Sequence, residues 1–398
     1  MSTVASLPAP EPVFSVDEIT DSDRVRLLLV GAGHAHLEII RRQIITPHRR
    51  LEITVVSNDE LHVYSGMVPG YLRGTYSLEE IAFRLDPLVR SCGGRFIRAT
   101  ATALDATNQI VHLDGVNSIN YDLVSFNIGS LAMGQTDPRV AAHAAIVKPI
   151  SQAAELKTRV EQLASEIRNK PARVVLVGAG AAGVEVATTI ARRLDAASRG
   201  RHITLLDAAV RILAGYSERF QTRAVDILKR AGIALRTGQK AIGVTPEGVG
   251  LDDGSTIPSD LTVWLTGAAA IPMFEGSGLT CDARGFLLVD GALRSLDDPR
   301  VFAAGDCATL DQHRETPKAG VYAVRMGPAL WESLVATVDG TRPIYYEPQR
   351  AFLSILNTGD GRALLRYENL ISHSRWAWWL KDRIDRKFML RYHALSAG

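Results

Sequence analysis

Two glycine turns of one kind, one near the N-terminus and one near the middle, constrain this chain more than any other feature. The first reads Val25-Arg-Leu-Leu-Leu-Val-Gly31-Ala32-Gly33-His34-Ala-His36-Leu-Glu38, the second Ala172-Arg-Val-Val-Leu-Val-Gly178-Ala-Gly180-Ala-Ala-Gly183-Val-Glu185. Each is an aliphatic run of strand character that enters a glycine turn and leaves it in a helical pattern. Such a turn brings backbone amides and a helix N-terminus up to a pyrophosphate, where a Cβ would obstruct the approach. Two in one chain predict two dinucleotides that exchange electrons.

Context carries this reading, because a bare G-x-G arises by chance about 2–3 times in a chain this rich in glycine. Each turn is followed by a further strand pattern, Ile53–Val56 and Ile203–Leu206. The second motif is complete; the first has His36 in place of its third glycine, so helix and strand are expected to pack less closely there.

Strand and helix patterns alternate throughout, which predicts an α/β fold. We expect two Rossmann-like, three-layer dinucleotide-binding domains, one inserted in the other, plus a C-terminal α/β segment. The boundaries read as a disordered tail at 1–23, a split first domain at 24–142 and 272–340, a second at 143–271, and a C-terminal segment at 341–398. Tyr121–Ile128 reads as a strand delivering Gly129 and Ser130, and Lys148-Pro149 as a crossover into a helix from Ser151 to Arg168. The strand Leu261–Leu265 delivers Thr266 and Gly267, and Val301–Ala304 ends in Gly305-Asp306. An acid beyond the carboxyl end of a strand is placed to hold a sugar hydroxyl. Pro317-Lys318 is expected to open a helix running to Val338, with proline at an early position.

A formal charge of +2 gives no nucleic-acid signature. Cys92, Cys281 and Cys307 lie far apart, without metal spacing, and fit a reducing cytoplasm. His34 and His36 have no further ligands nearby in sequence, so no metal is expected. No apolar run is long enough to span a membrane, and the first residues lack the pattern of a targeting peptide.

These landmarks in this order resemble the pyridine nucleotide oxidoreductase superfamily, over roughly residues 25–340. Within it the chain resembles type II NADH dehydrogenases and the flavoprotein modules fused to selenide, water dikinase. Gly31-Ala-Gly-His-Ala-His36, Tyr64-Ser-Gly-Met-Val-Pro-Gly70, Pro317–Arg325 and Trp379–Met389 carry the likeness. The resemblance implies FAD on the first turn, with Gly31, Ala32, Gly33 and His34 at the pyrophosphate. It also implies Gly129 passing close to FAD, and Gly305 and Asp306 at its ribityl or pyrophosphate end. Lys318 and the helix after it would stabilise reduced flavin. Ser57-Asn58 stand where a ribose-binding acid is usual, so Asp59 or Glu60 would have to reach the FAD adenosine.

Gly178, Gly180, Gly183 and Gly267 would hold the nicotinamide dinucleotide. Asp207 ends the following strand, where a carboxylate accepts ribose hydroxyls and repels a 2′-phosphate, which favours NADH over NADPH. Arg211 keeps NADPH open. Glu185 extends the motif to G-x-G-x-x-G-x-E, and the resemblance implies a place for it near flavin and nicotinamide.

The cysteine pattern excludes the arrangements of glutathione and thioredoxin reductases. Quinone is the expected acceptor. The glutamines that face quinone in type II dehydrogenases are replaced in the run Ala319-Gly320-Val-Tyr322-Ala-Val-Arg325. A selenium or sulfur compound, a protein acceptor, and a redox-sensing role therefore stay open. Residues 375–391 carry six basic and two acidic side chains, and Trp376, Leu380, Ile384, Phe388 and Tyr392 recur every fourth residue. This predicts an amphipathic helix on the inner face of the cell membrane, or docked on the protein or a second copy of the chain.

Overall fold

The computed structural model describes residues 23–115, 117–148, 150–166, 170–197, 200–349 and 351–396. The tail before residue 23, Pro149 and Arg168 lie outside them. The strand that enters the first glycine turn sits in the middle of a five-stranded parallel sheet. Its order is Val301–Ala303, Leu123–Phe126, Val25–Val30, Leu51–Ser57, Arg95–Arg98. Leu27 to Val30 are each buried to within 1% of complete. A parallel sheet covered on both faces has no wet side, so its strands read as unbroken aliphatic runs.

The second sheet repeats the plan. Its order is Ala144–Ile146, Leu261–Trp264, Ala172–Val177, Arg201–Asp207, Ile233–Thr237, all parallel. Each sheet also carries a three-stranded antiparallel appendage, Ala101–Asp105 to Ile119–Asn120 in the first and Ala241–Thr245 to Thr256–Pro258 in the second. The duplication reaches single side chains. Asp122 accepts the Arg26 amide at 2.7 Å and both prongs of its guanidinium; Asp260 accepts the Arg173 amide at 2.9 Å and its guanidinium likewise. The chain thus has the expected α/β architecture of two dinucleotide-binding layers. The strand Val301–Ala303 joins the first sheet only after the whole second sheet has been built.

The helix after the first turn, His34–Ile45, packs on a long helix, Gly320–Asp339. That helix starts later than the sequence suggests. Ala319 is extended (φ −145°, ψ 143°), and Pro317 and Lys318 stand outside it. Lys318 is tied back to residues 308 and 309, which holds this stretch away from the helix axis.

An antiparallel sheet follows, Ser354–Asn357, Ala363–Tyr367 and Leu370–Ser374, and then the C-terminal helix Arg375–Ser396. The expected single apolar stripe does not exist on it. Trp376 and Ile384 are exposed, Leu380 and Phe388 half-buried, and Tyr392 is buried. A four-residue step overshoots one helical turn by about 40°, so five such positions wind nearly halfway round the cylinder. The real inner face is Ala377, Lys381, Asp385, Phe388, Met389 and Tyr392. The outer face carries Trp376, Trp379 and Leu390 among Arg375, Arg383, Lys387 and Arg391. Among the described residues no helix is long and apolar enough to cross a membrane, and no group of side chains is arranged to hold a metal ion.

Candidate functional site

At the first turn Gly33 is extended and His34 begins the helix. Asn127, at the end of the neighbouring strand, supplies the cap. Its Oδ1 accepts the amides of Ala35 (3.0 Å) and His36 (3.4 Å), and its Nδ2 donates to Ala304 O at 2.6 Å. A Cβ on Gly33 would lie 2.3 Å from that Oδ1. The His36 imidazole fills the gap expected where the third glycine is missing. Nδ1 lies 2.6 Å from Gly31 O and Nε2 lies 2.9 Å from Ser125 Oγ. Burial pushes this ring down to about 4, so it is neutral, and Nδ1 donates to the carbonyl while Nε2 accepts from the serine.

Beside the turn, His34 meets His62, Tyr64 and Phe388 with ring centroids 5.2–5.7 Å apart. His62 Nδ1 donates to Ala32 O at 3.0 Å, while its buried Nε2 has no partner. Burial lowers His34 to about 4 and His62 to about 3.

Gly129 and Gly305 both take positive φ, 74° and 76°. Asp306 is bound through one oxygen. Its Oδ2 accepts from Ser130 Oγ at 2.9 Å and Lys148 Nζ at 3.2 Å, and Lys148 also donates to Ser130 Oγ at 2.8 Å. Lys148 comes from the crossover between the two sheets, and sequence reasoning missed it as a residue of the site. Lys318 donates to Ala308 O and, at 2.8 Å, to Thr309 Oγ1, and stands 4.2 Å above the Phe286 ring. Burial pushes its ammonium down to about 8. With Asp306, Tyr322 and Met326 it lines a crevice at the start of the Gly320–Asp339 helix.

At the second turn Gly178 has φ 108°, and a Cβ there would lie 2.4 Å from Leu265 O. A Cβ on Gly183 would lie 1.9 Å from Gly178 O. The helix Ala181–Ala196 has no side-chain cap, so its first amides face outward for an anion. Asp207 Oδ2 accepts the Ala179 amide at 2.5 Å and Oδ1 that of Ala209 at 2.8 Å. The aspartate therefore braces the turn itself. Arg211 pairs with Glu218 at 3.0 Å on the surface.

Glu185, one turn into this helix, keeps part of its surface accessible although protein atoms surround it. Its Oε1 accepts the Asn357 amide at 2.7 Å. Burial pushes it up to about 7, against the opposing pull of Lys381. Lys381 and Asp385, on the C-terminal helix, act on it through charge alone. Lys381 Nζ lies 3.0 Å from Asp385 Oδ2 and donates to Gly66 O at 2.8 Å. Sequence reading placed both residues on a membrane-facing helix, and only their four-residue spacing hinted at a pair.

These surroundings fit two dinucleotides. Added Cβ atoms at Gly129, Gly180 and Gly267 would meet nothing within 4 Å, so open space adjoins each of these positions. The second helix offers uncapped amides, and Asp306 keeps its Oδ1 for a hydroxyl.

The family model for pyridine nucleotide-disulphide oxidoreductases matches residues 25–327. An external alternative NAD(P)H-ubiquinone oxidoreductase B4 of Arabidopsis thaliana mitochondria is 25% identical over 76% of this chain, which spans only 58% of that relative. A type II NADH:quinone oxidoreductase of Staphylococcus saprophyticus is 22% identical over 85% of this chain and 89% of its own length. The solved structure of NDH2 from Plasmodium falciparum in complex with NADH shares the fold at a TM-score of 0.77 and 12% identity, over 92% of this chain and 97% of that one. With its paired glycine turns matched from end to end by one family model, the chain belongs to the pyridine nucleotide-disulphide oxidoreductase family.

Proposed function

We propose that this protein is an FAD-dependent NADH oxidoreductase that passes electrons to a quinone. The carrying observation is the pair of nucleotide turns with Glu185 between them and the C-terminal helix. FAD belongs in the domain of residues 24–142 and 272–340, held by Gly31, Ala32, Gly33, His34, Gly129, Gly305 and Asp306. NADH belongs in residues 143–271, held by Gly178, Gly180, Gly183, Asp207 and Gly267. Bound FAD would supply the two-electron relay between nicotinamide and acceptor.

The side chains then have limited tasks. Asp207 stiffens the turn and puts negative charge where a 2′-phosphate would sit, which supports NADH over NADPH. Lys318 brings positive charge to the N-terminus of the Gly320–Asp339 helix, where reduced flavin is stabilised. Glu185 holds a proton near the nicotinamide. The names of the relatives in Arabidopsis and Staphylococcus support quinone as acceptor. The exposed tryptophans and basic side chains of the C-terminal helix support attachment to an anionic membrane surface.

The test is NADH oxidation by purified, FAD-loaded protein with and without a short-chain quinone. The reading requires quinone-dependent turnover, with NADPH much the poorer donor. Bleaching of the flavin by NADH without quinone turnover would leave the cofactors standing and remove the quinone. That second outcome would fit the absence of glutamine from the run Ala319–Arg325, and would point to a selenium or sulfur compound or a protein as acceptor.

A further inference from the structure

Lys318 stands just before the Gly320–Asp339 helix, yet its side chain runs back to the strand Ala308–Leu310. Nζ donates to Ala308 O and, at 2.8 Å, to Thr309 Oγ1, and it stands 4.2 Å from the centre of the Phe286 ring. Thr309 and Phe286 are both buried. The threonine hydroxyl is itself held, because Oγ1 donates to Asp282 Oδ2 at 2.9 Å. Asp282 is fixed in turn: its Oδ1 accepts the amides of Arg284 (2.8 Å) and Phe286 (3.1 Å). Asp282, Asp306, Cys307 and Arg284 face the ammonium with charged or titratable groups, and His313 and Tyr322 line the same crevice.

An ammonium has three N–H donors. Here a carbonyl takes one, a threonine lone pair takes the second, and the face of an aromatic ring takes the third. The threonine offers that lone pair because Asp282 has already taken the hydroxyl proton. A cation with every donor spent on protein cannot hydrogen-bond a ligand without breaking one of these contacts. It still acts through space, and more strongly where little water screens it. Burial also pushes the group down to about 8, so it is charged below that pH and neutral above it.

We propose that Thr309 is the positioning residue of Lys318: locked by Asp282, it keeps the ammonium on protein partners, so that Lys318 acts on the flavin as a fixed charge and gives it no hydrogen bond. The proposal rests on the assignment of FAD to this site, made above. Its consequence is a proton balance. Two electrons and one proton turn oxidised flavin into reduced flavin with one added negative charge. A lysine beside that charge holds its own proton more tightly. Above the pH at which Lys318 is neutral in the oxidised protein, reduction therefore returns its proton, and two protons accompany each electron pair instead of one.

The test uses the full chain with and without flavin. In the flavin-free chain, acetylation of Lys318 by acetic anhydride, followed against pH by mass spectrometry, reads the amine directly, and its midpoint is expected near 8. T309V removes the lone pair and should lower that midpoint by about one pH unit, and T309S should restore it. In the flavin-loaded chain, the midpoint potential of the flavin should steepen from one to two protons per electron pair near the same pH. T309V should move this break down together with the labelling midpoint, T309S should return it, and K318M should abolish it. Equal labelling midpoints in wild type and T309V overturn Thr309 as the positioning residue. A T309V shift confined to the flavin-free chain means that the ammonium leaves Thr309 for the flavin, and overturns the fixed charge. Bound wild-type flavin without the break overturns the action of Lys318 on it. Failure to bind flavin at all would instead count against the FAD assignment, while the labelling midpoints still decide the contact between Thr309 and Lys318.

Discussion

Gly183→Ala should separate the two cofactor sites. The added methyl would lie 1.9 Å from the carbonyl oxygen of Gly178 and 3.0 Å from its carbon. Contact between a methyl and a carbonyl oxygen needs somewhat over 3 Å, so helix and turn must part by about 1.2 Å, and both partners are backbone. Forced insertion of this kind costs about 1–3 kcal/mol. Because this turn is the proposed seat of the NADH pyrophosphate, most of that should appear as weaker NADH binding, by about 5- to 150-fold. The first turn is untouched, so FAD content should stay at the wild-type level. Titrating the flavin-loaded variant with NADH under anaerobic conditions gives the affinity, and the flavin spectrum gives occupancy. Wild-type NADH affinity in a folded G183A protein would falsify the assignment of this turn to the nicotinamide dinucleotide. Equal loss of FAD would show that the two turns are not independent.

Further outcomes follow from other contacts. Asn127→Ala removes both cap bonds, at 3.0 and 3.4 Å, and the bond to Ala304 O, and should destabilise the protein by about 1–3 kcal/mol; thermal unfolding of the flavin-free chain reads it. Lys148→Gln should weaken FAD retention severalfold while leaving NADH affinity near wild type, measured by flavin release on dilution. Asp207→Ala should narrow the preference for NADH over NADPH by about tenfold, and an unchanged ratio of kcat/KM would remove the electrostatic account. Replacing Trp376 and Trp379 by serine should lower sedimentation with anionic vesicles without changing flavin content. If it instead alters the oligomeric state, the face belongs to a second copy of the chain.

The two turns, their strands and the order of the motifs were legible because they depend on local rules: aliphatic runs for buried parallel strands, glycine where backbones meet. The ends of elements were less so. Ala319 ends its extended segment two residues beyond the proline because Lys318 is drawn toward Ala308 and Thr309, a contact with no signature in sequence. Asn127 and Lys148 escaped notice for a similar reason: each acts on a partner far along the chain. The charged residues of the C-terminal helix looked like a solvated basic face. Only the antiparallel sheet of residues 354–374, after which the helix returns against Tyr64 and Gly66, turns Lys381 and Asp385 inward.

The late arrival of the strand Val301–Ala303 has a consequence for how the protein is made. All five strands of the second sheet lie between residues 144 and 264, so that sheet can close while the chain is still being synthesised. The first sheet cannot. Leu123–Phe126 must wait with one edge unpaired until residue 303 has emerged, and His34–Ile45 waits still longer for Gly320–Asp339 to cover it. A ribosome-bound chain halted near residue 300 should therefore protect the second sheet from protease and leave the first open to it. The segment made first, residues 25–126, is then the part whose sheet is completed last.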